Sequence, residues 1–159
     1  MKFVDDAAGL LPRDALAASS GFAFIKGMLD GEYPMPPIAR SLNYWLEAVE
    51  KGSVTFRGQP GFDTLNPLGT VHGGWFGTVL DSCMACAVQT MLPAGQAYTT
   101  LEYKINILRP LHGDGVALLA KGTVDHVGRR TGVATGQVIG AADGKLYATG
   151  STTCLVFEI

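Results

Sequence analysis

The chain has 159 residues, a formal net charge of −2 and a charged fraction of 16%, which is about one domain's length and enough to bury a sizeable core without disulfide or metal staples. Its 12 Lys and Arg residues are scattered, so no basic stripe announces a nucleic-acid partner, and the longest uncharged stretch, Ser82 to Leu101, is interrupted by Pro93 and Gly95, which argues against a membrane span. Three cysteines without framework spacing, and acids at Asp5 and Asp6 ahead of any apolar run, fit a reduced cytoplasmic protein without a secretory signal.

In chain order, Asp14 to Leu29 reads as one helix or two short ones, and "DGEYPMPPIAR" as a proline-rich loop that cannot continue it. Residues 1–40 thus form a helical lead-in to a domain over 41–159. "LNYWLEAVEKGSVTFRG" suggests two strands, followed by a loop over Phe62 to Val71. One long helix is expected from Gly73 to Met91, ended by Pro93 and Gly95. Beyond it Leu101, Tyr103, Ile105 and Ile107 alternate with Thr100, Glu102, Lys104 and Asn106, the period of a half-buried strand. "GVALLAKGTVDHV", "TGVATGQVIGA" and "LYATGSTTCLVFEI" supply three more strands, joined by "GRR" and by the hairpin signal "ADGK". One long helix with strands before and after it buries its apolar sides only against the concave face of an antiparallel sheet, an α+β layer.

The helix is apolar over most of its circumference, through Trp75, Phe76, Val79, Leu80, Cys83, Met84, Ala87 and Val88, as a buried helix should be. Yet Gly74, Gly77, Thr78, Asp81, Ser82 and Ala85 fall on one narrow arc of small and polar residues. Asp81 is the only charged residue between His72 and Glu102. A confined acid can supply a base or a nucleophile, and the "HGG" first turn offers free N–H groups at a positive dipole end, suited to a developing oxyanion. The competing explanation is close helix-to-sheet packing by the glycines and a capped or exposed acid. Cys83 and Cys86 form C-x-x-C in mid-helix, away from the helix start where a redox pair gains reactivity, and are expected in the core. No second ligand pair suggests zinc. His112 and His126 read as turn and surface residues, while Arg109, Arg129 and Arg130 could meet phosphates.

"NPLGTVHGGWFGTVLDSCMACA", "YTTLEYKINILRP", "GRRTG" and "ATGSTTCLVF" together resemble the hotdog-fold acyl-CoA thioesterases of the phenylacetate-pathway and human acyl-CoA thioesterase 13 type, over residues 45 to 157. The resemblance implies a hotdog fold, an antiparallel sheet wrapped around the long helix, with an acyl-CoA as substrate and no metal or redox cofactor. It implies that Asn66 and His72 position the thioester or water, that the Gly73 N–H binds the thioester carbonyl, that Asp81 drives hydrolysis, and that Thr100 supplies a hydroxyl. Gly74, Ser82 and Thr99 are candidate substrate contacts beside them.

Gly73 and Asp81 are eight residues apart, about 12 Å along one helix, so one helix cannot bring both to a single carbonyl. The acid should come from a second subunit across a two-fold interface; the resemblance likewise implies dimers, often paired into tetramers. Two other functions stay open: a hotdog hydratase or dehydratase of enoyl or 3-hydroxyacyl thioesters, and a non-catalytic acyl-CoA-binding protein. Trp75, Phe76, Met84 and Tyr98 could line an aromatic-acyl or a medium-chain pocket.

Overall fold

The computed structural model describes residues 2–113 and 115–159. Ahead of the sheet come α1 (Arg13–Ala17), α2 (Gly21–Asp30) and α3 (Pro37–Ser41); β1 (Tyr44–Glu50) and β2 (Ser53–Gly58) precede the long α4 (Gly73–Gln89). Four strands follow: β3 (Gln96–Ile107), β4 (Leu118–Val127), β5 (Thr131–Gly140) and β6 (Leu146–Glu158). They form one sheet in the order β1-β2-β4-β5-β6-β3, antiparallel throughout, with α4 across one face. This is the expected hotdog arrangement. The proline-rich loop differs from expectation in one respect: Pro37 opens the short α3, because proline is tolerated in a first helical turn, where its missing N–H has no partner to lose.

Helix α4 earns its position by its apolar sequence. Val79, Leu80, Cys83, Met84, Ala87 and Val88 are all fully buried, and each large side chain so removed from water contributes about 1.5–3 kcal/mol. The strands beneath carry glycine where the helix comes closest. A Cβ on Gly122 of β4 would lie 2.3 Å from the Cys83 carbonyl oxygen, and one on Gly132 of β5 would lie 2.4 Å from a Val88 methyl. Trp75, Phe76 and Met84, expected as pocket candidates, belong to this core instead, at 3%, 1% and 0% exposed, since their helix positions point at the sheet.

Residues of the first 40 enter the same core: Ile25, Met35 and Ala39 are buried with the sheet residues. Gly21 opens α2 against the end of α4, where a Cβ would sit 1.8 Å from the Gln89 carbonyl oxygen, and its N–H donates to the Leu92 carbonyl at 3.0 Å. The Gly95 N–H donates to Ala17 at 3.1 Å. The lead-in therefore lies across the C-terminal half of α4 and is anchored there by backbone.

Strand β3 corrects the simple alternation. Its register with β6 shifts between Thr100 and Glu102, a bulge at Leu101 that reverses which side chains face the helix. Tyr98 and Thr100 before the bulge, and Tyr103, Ile105 and Ile107 after it, all approach α4. Nor is the strand half-buried: Tyr103 and Ile107 remain 46% and 45% exposed and the bulged Leu101 58%, because β3 is an edge strand with only the small-residue side of α4 beside it.

Candidate active site

The loop before α4 is shaped by Asn66. Its Oδ1 accepts from the N–H groups of Leu68 (2.9 Å) and Thr70 (3.2 Å), and its Nδ2 donates to Thr70 Oγ1 at 2.7 Å. Asn66 is thus a loop-builder in this protomer, the usual work of an asparagine side chain bonding nearby backbone. His72 caps the helix: its Nδ1 accepts from the Gly74 N–H at 2.9 Å. A Cβ on Gly74 would come within 3.0 Å of that nitrogen, so the second glycine serves the cap. Its N–H is occupied. Among the described residues nothing pairs with the Gly73 N–H, which lies at the positive end of α4.

Two turns further on, Asp81 is half-buried and accepts a hydrogen bond from Thr100 Oγ1 at 2.9 Å. The bulge is what brings Thr100 there; Thr99 is exposed on the other side of β3. Burial pushes the Asp81 carboxyl above the ordinary carboxylate range, partly opposed by the Thr100 hydrogen bond. Ser82 Oγ lies 3.0 Å from the Tyr44 hydroxyl, whose pKa burial raises to about 12. Asp81 and Ser82 open onto a cavity of about 150 Å³ shared with Tyr44, Met28, Cys86 and Tyr98. Cys86 therefore departs from the core assignment: Cys83 is fully buried under the sheet, but Cys86, three residues on, turns to the cavity wall near Tyr98. Burial raises its thiol to about 12, so it presents a neutral, apolar surface there. Sequence reading missed Tyr44, Met28 and Cys86; the only signal for them was the small-residue arc of α4, which says that something opposite must form a wall but not what.

The arginines are not gathered together. Arg129 and Arg130 sit in the β4–β5 turn, at the end of the sheet where Gly132 meets Val88 near the C-terminus of α4. Arg109 follows β3, whose Ile107 lies against Gly73 at the opposite end of the helix. All three side chains are exposed.

A helix carboxylate held by the neighbouring strand, inside a wrapped antiparallel sheet, places the chain among the hotdog-fold proteins. It belongs to the Thioesterase superfamily, whose pattern matches residues 68–147, from the loop before α4 into β6. A phenylacetic acid degradation-related protein from Ralstonia eutropha JMP134 is 32% identical, with a TM-score of 0.74 over 83% of this chain and 98% of that one. A Streptococcus mutans UA159 protein solved with bound acetyl-CoA is 28% identical, with a TM-score of 0.66 over 73% of this chain and 90% of that one. A Halobacterium salinarum protein named as an esterase is 38% identical over 77 residues, 47% of this chain; the match spans about half, 49%, of that curated relative's length. No helix among the described residues is long and apolar enough to cross a membrane.

Proposed function

We propose that the protein hydrolyses the thioester of an aromatic or medium-chain acyl-CoA, giving the free acid and coenzyme A, at a site shared by two subunits of a homodimer or homotetramer. The observation that carries this reading is Asp81, half-buried at the mouth of an apolar cavity and hydrogen-bonded by Thr100 in a Thioesterase superfamily chain. Partial burial of a carboxylate against apolar surface costs stability that its single hydrogen bond only partly offsets, and a catalytic role accounts for keeping it there. In its ionised form Asp81 takes a proton from the attacking water, or itself attacks the carbonyl to give an anhydride that water then cleaves. In either route the C–S bond breaks and coenzyme A leaves as thiolate. The Gly73 N–H, with the dipole of α4 behind it, holds the oxyanion; one such donor is worth about 2.7–4 kcal/mol in the transition state. The reaction as proposed calls on no metal or redox cofactor.

Gly73 and Asp81 stand about 12 Å apart along α4, so the Gly73 that serves a given Asp81 belongs to an antiparallel partner helix. Edge strand β3 supports the pairing: Leu101, Tyr103, Ile107 and Leu108 leave a long exposed apolar margin, which a lone protomer would have to blunt. In such a pair, Arg129 and Arg130 lie near the partner's α4 N-terminus, where the polar end of an acyl-CoA would emerge. His72, which caps the start of α4 through Nδ1, stands nine residues ahead of Asp81, about 14 Å along the helix, so within one protomer Asp81 lacks the histidine partner expected of a hydratase, which favours hydrolysis.

Thiol release from an acyl-CoA panel tests the reading. Asp81→Asn should lower kcat by at least ~10² while the fold and the elution volume persist. A folded Asn variant with near-full kcat overturns the catalytic assignment, and loss of enoyl absorbance without thiol release would move the reaction to hydration. For the shared site, mixing inactive Asp81→Asn and inactive Gly73→Pro subunits under exchange should restore part of the activity.

A further inference from the structure

Residues 2–36 have no role in the hydrolysis as proposed, yet they are anchored across the half of α4 that carries Asp81. Behind the small cavity at Asp81 lies a larger one, about 500 Å³, within the range of ligand pockets. Met28, Pro36, Cys86 and Tyr98 line both, so the two spaces adjoin across these four side chains. The floor of the larger cavity is α4 and β3; its roof is Leu10, Leu11, Leu16, Phe24 and Met28 of the N-terminal segment. Asp81 is the only charged side chain among the described residues that line either space.

We infer that residues 3–36 build the acyl-chain wall of this site, and that the chain they accommodate is a linear medium-length one. The inference rests on the thioester-hydrolase reading and narrows its substrate. Only the acyl part of an acyl-CoA suits such a lining, because phosphates or a pantetheine amide would be buried there without partners. The chain's length follows from the helix. Asp81, Ser82, Cys86 and Gln89 border the two cavities in sequence along α4, and eight residues of helix span about 12 Å. Tetrahedral carbons about 1.5 Å apart at about 111° advance about 1.25 Å each when extended, so about nine or ten carbons reach from the carboxylate to Gln89. A phenylacetyl group would occupy the near chamber and leave the far one empty. Met28 lines both chambers and is the unbranched, adaptable side chain that yields for a chain to pass from one to the other.

The test is thiol release from acetyl-, hexanoyl-, decanoyl- and phenylacetyl-CoA by the full chain, with calorimetric titration of decanoyl- and acetyl-CoA into Asp81→Asn protein as a readout independent of turnover. The wild type should gain about fourfold in kcat/KM per added methylene between hexanoyl and decanoyl, and decanoyl-CoA should bind Asp81→Asn at least tenfold more tightly than acetyl-CoA. Met28→Trp, which puts a bulky, stiff side chain between the chambers, should lower the decanoyl-to-acetyl ratio of kcat/KM at least about tenfold. If its melting curve shows that it does not fold, Phe24→Trp at the far wall is read in its place and should lower the decanoyl-to-hexanoyl ratio. A flat chain-length profile, a preference for phenylacetyl-CoA over decanoyl-CoA, or ratios that neither variant moves would overturn the acyl wall and leave hydrolysis standing. Absence of thiol release from every substrate, with decanoyl-CoA still bound tightly and Met28→Trp erasing that preference, would overturn hydrolysis and leave the wall standing.

Discussion

The two sides of helix α4 meet their surroundings in opposite ways. Toward the sheet, Leu80, Cys83, Met84 and Val88 press on strands whose glycines have been left bare to receive them, and no space remains. On the other side, Asp81 and Ser82 hydrogen-bond Thr100 of β3 and Tyr44 of β1, and with Cys86 they border cavities walled by β1, β3 and the N-terminal segment. The first side holds the fold together by packing. The second holds an acid in a place that packing alone would not choose. One helix thus carries stability and chemistry on separate faces, and substitutions should separate them too.

The largest effect is expected on the closed side. Gly122→Val drives a branched side chain into the Cys83 carbonyl, where even a Cβ has only 2.3 Å, and overpacking of this kind costs about 3 kcal/mol or more when backbone must move. Thr78→Ala on the open side, where the hydroxyl merely bonds the Gly74 carbonyl of its own helix, should stay within about 0.5 kcal/mol. Thermal melting of the two variants reads the contrast directly, and equal losses would erase it.

Asp81→Asn should act on stability with the opposite sign. Burial raises the Asp81 pKa in the fold, so the folded state disfavours the ionised form. Its stability falls as pH rises from the ordinary carboxylate range, about pH 4, through the raised value, and the deficit is complete above it. The Asn variant, free of that charge, should melt a few degrees higher than wild type at neutrality and lose its advantage toward pH 4. An advantage that does not vary with pH would mean the gain comes from something other than the charge.

A smaller change isolates the hydrogen bond. Thr100→Val removes the hydrogen bond that, among the described residues, favours the Asp81 anion, so the acid limb of the kcat profile should move to higher pH, while the plateau falls by less than about tenfold. Thr100→Ser should return the limb toward its original place. A lower plateau without movement of the limb would give Thr100 a purely positional role.

The smallest effect belongs at the rim. Arg129→Ala with Arg130→Ala should raise KM for the acyl-CoA about threefold or more with little change in kcat, since contacts to phosphates would be equal in ground and transition states. An unaltered KM would return the β4–β5 turn to a solvated tip.

What could be read from the chain in advance, and what could not, follows the same division. The closed side of α4 was legible because periodicity reports burial: an apolar run from Trp75 to Val88 with a stop at Pro93 has one sensible fate. The glycines of β4 and β5 were visible as residues, but their purpose depended on which helix atoms lay above them. The bulge at Leu101 was hidden, because a strict alternation of Leu101, Tyr103, Ile105 and Ile107 looks uninterrupted until the partner strand shows that Thr100 and Tyr103 share a face. Cys83 and Cys86 looked alike by spacing and proved to differ, since a three-residue step turns a side chain about 60° round the axis, enough to carry Cys86 from core to cavity wall.

By itself, the sequence determined the order of elements, the buried helix and the presence of one acid on a small-residue arc, because these depend on local periodicity and on the cost of exposing apolar surface or burying charge. Only the tertiary structure decided what faces that acid. Thr100 reaches it through a bulge, and Met28, Phe24 and Leu16 roof the space beyond it from a segment with no motif of its own. Such contacts join residues distant along the chain, and a cavity is set by where packing stops, which no local pattern of residues records.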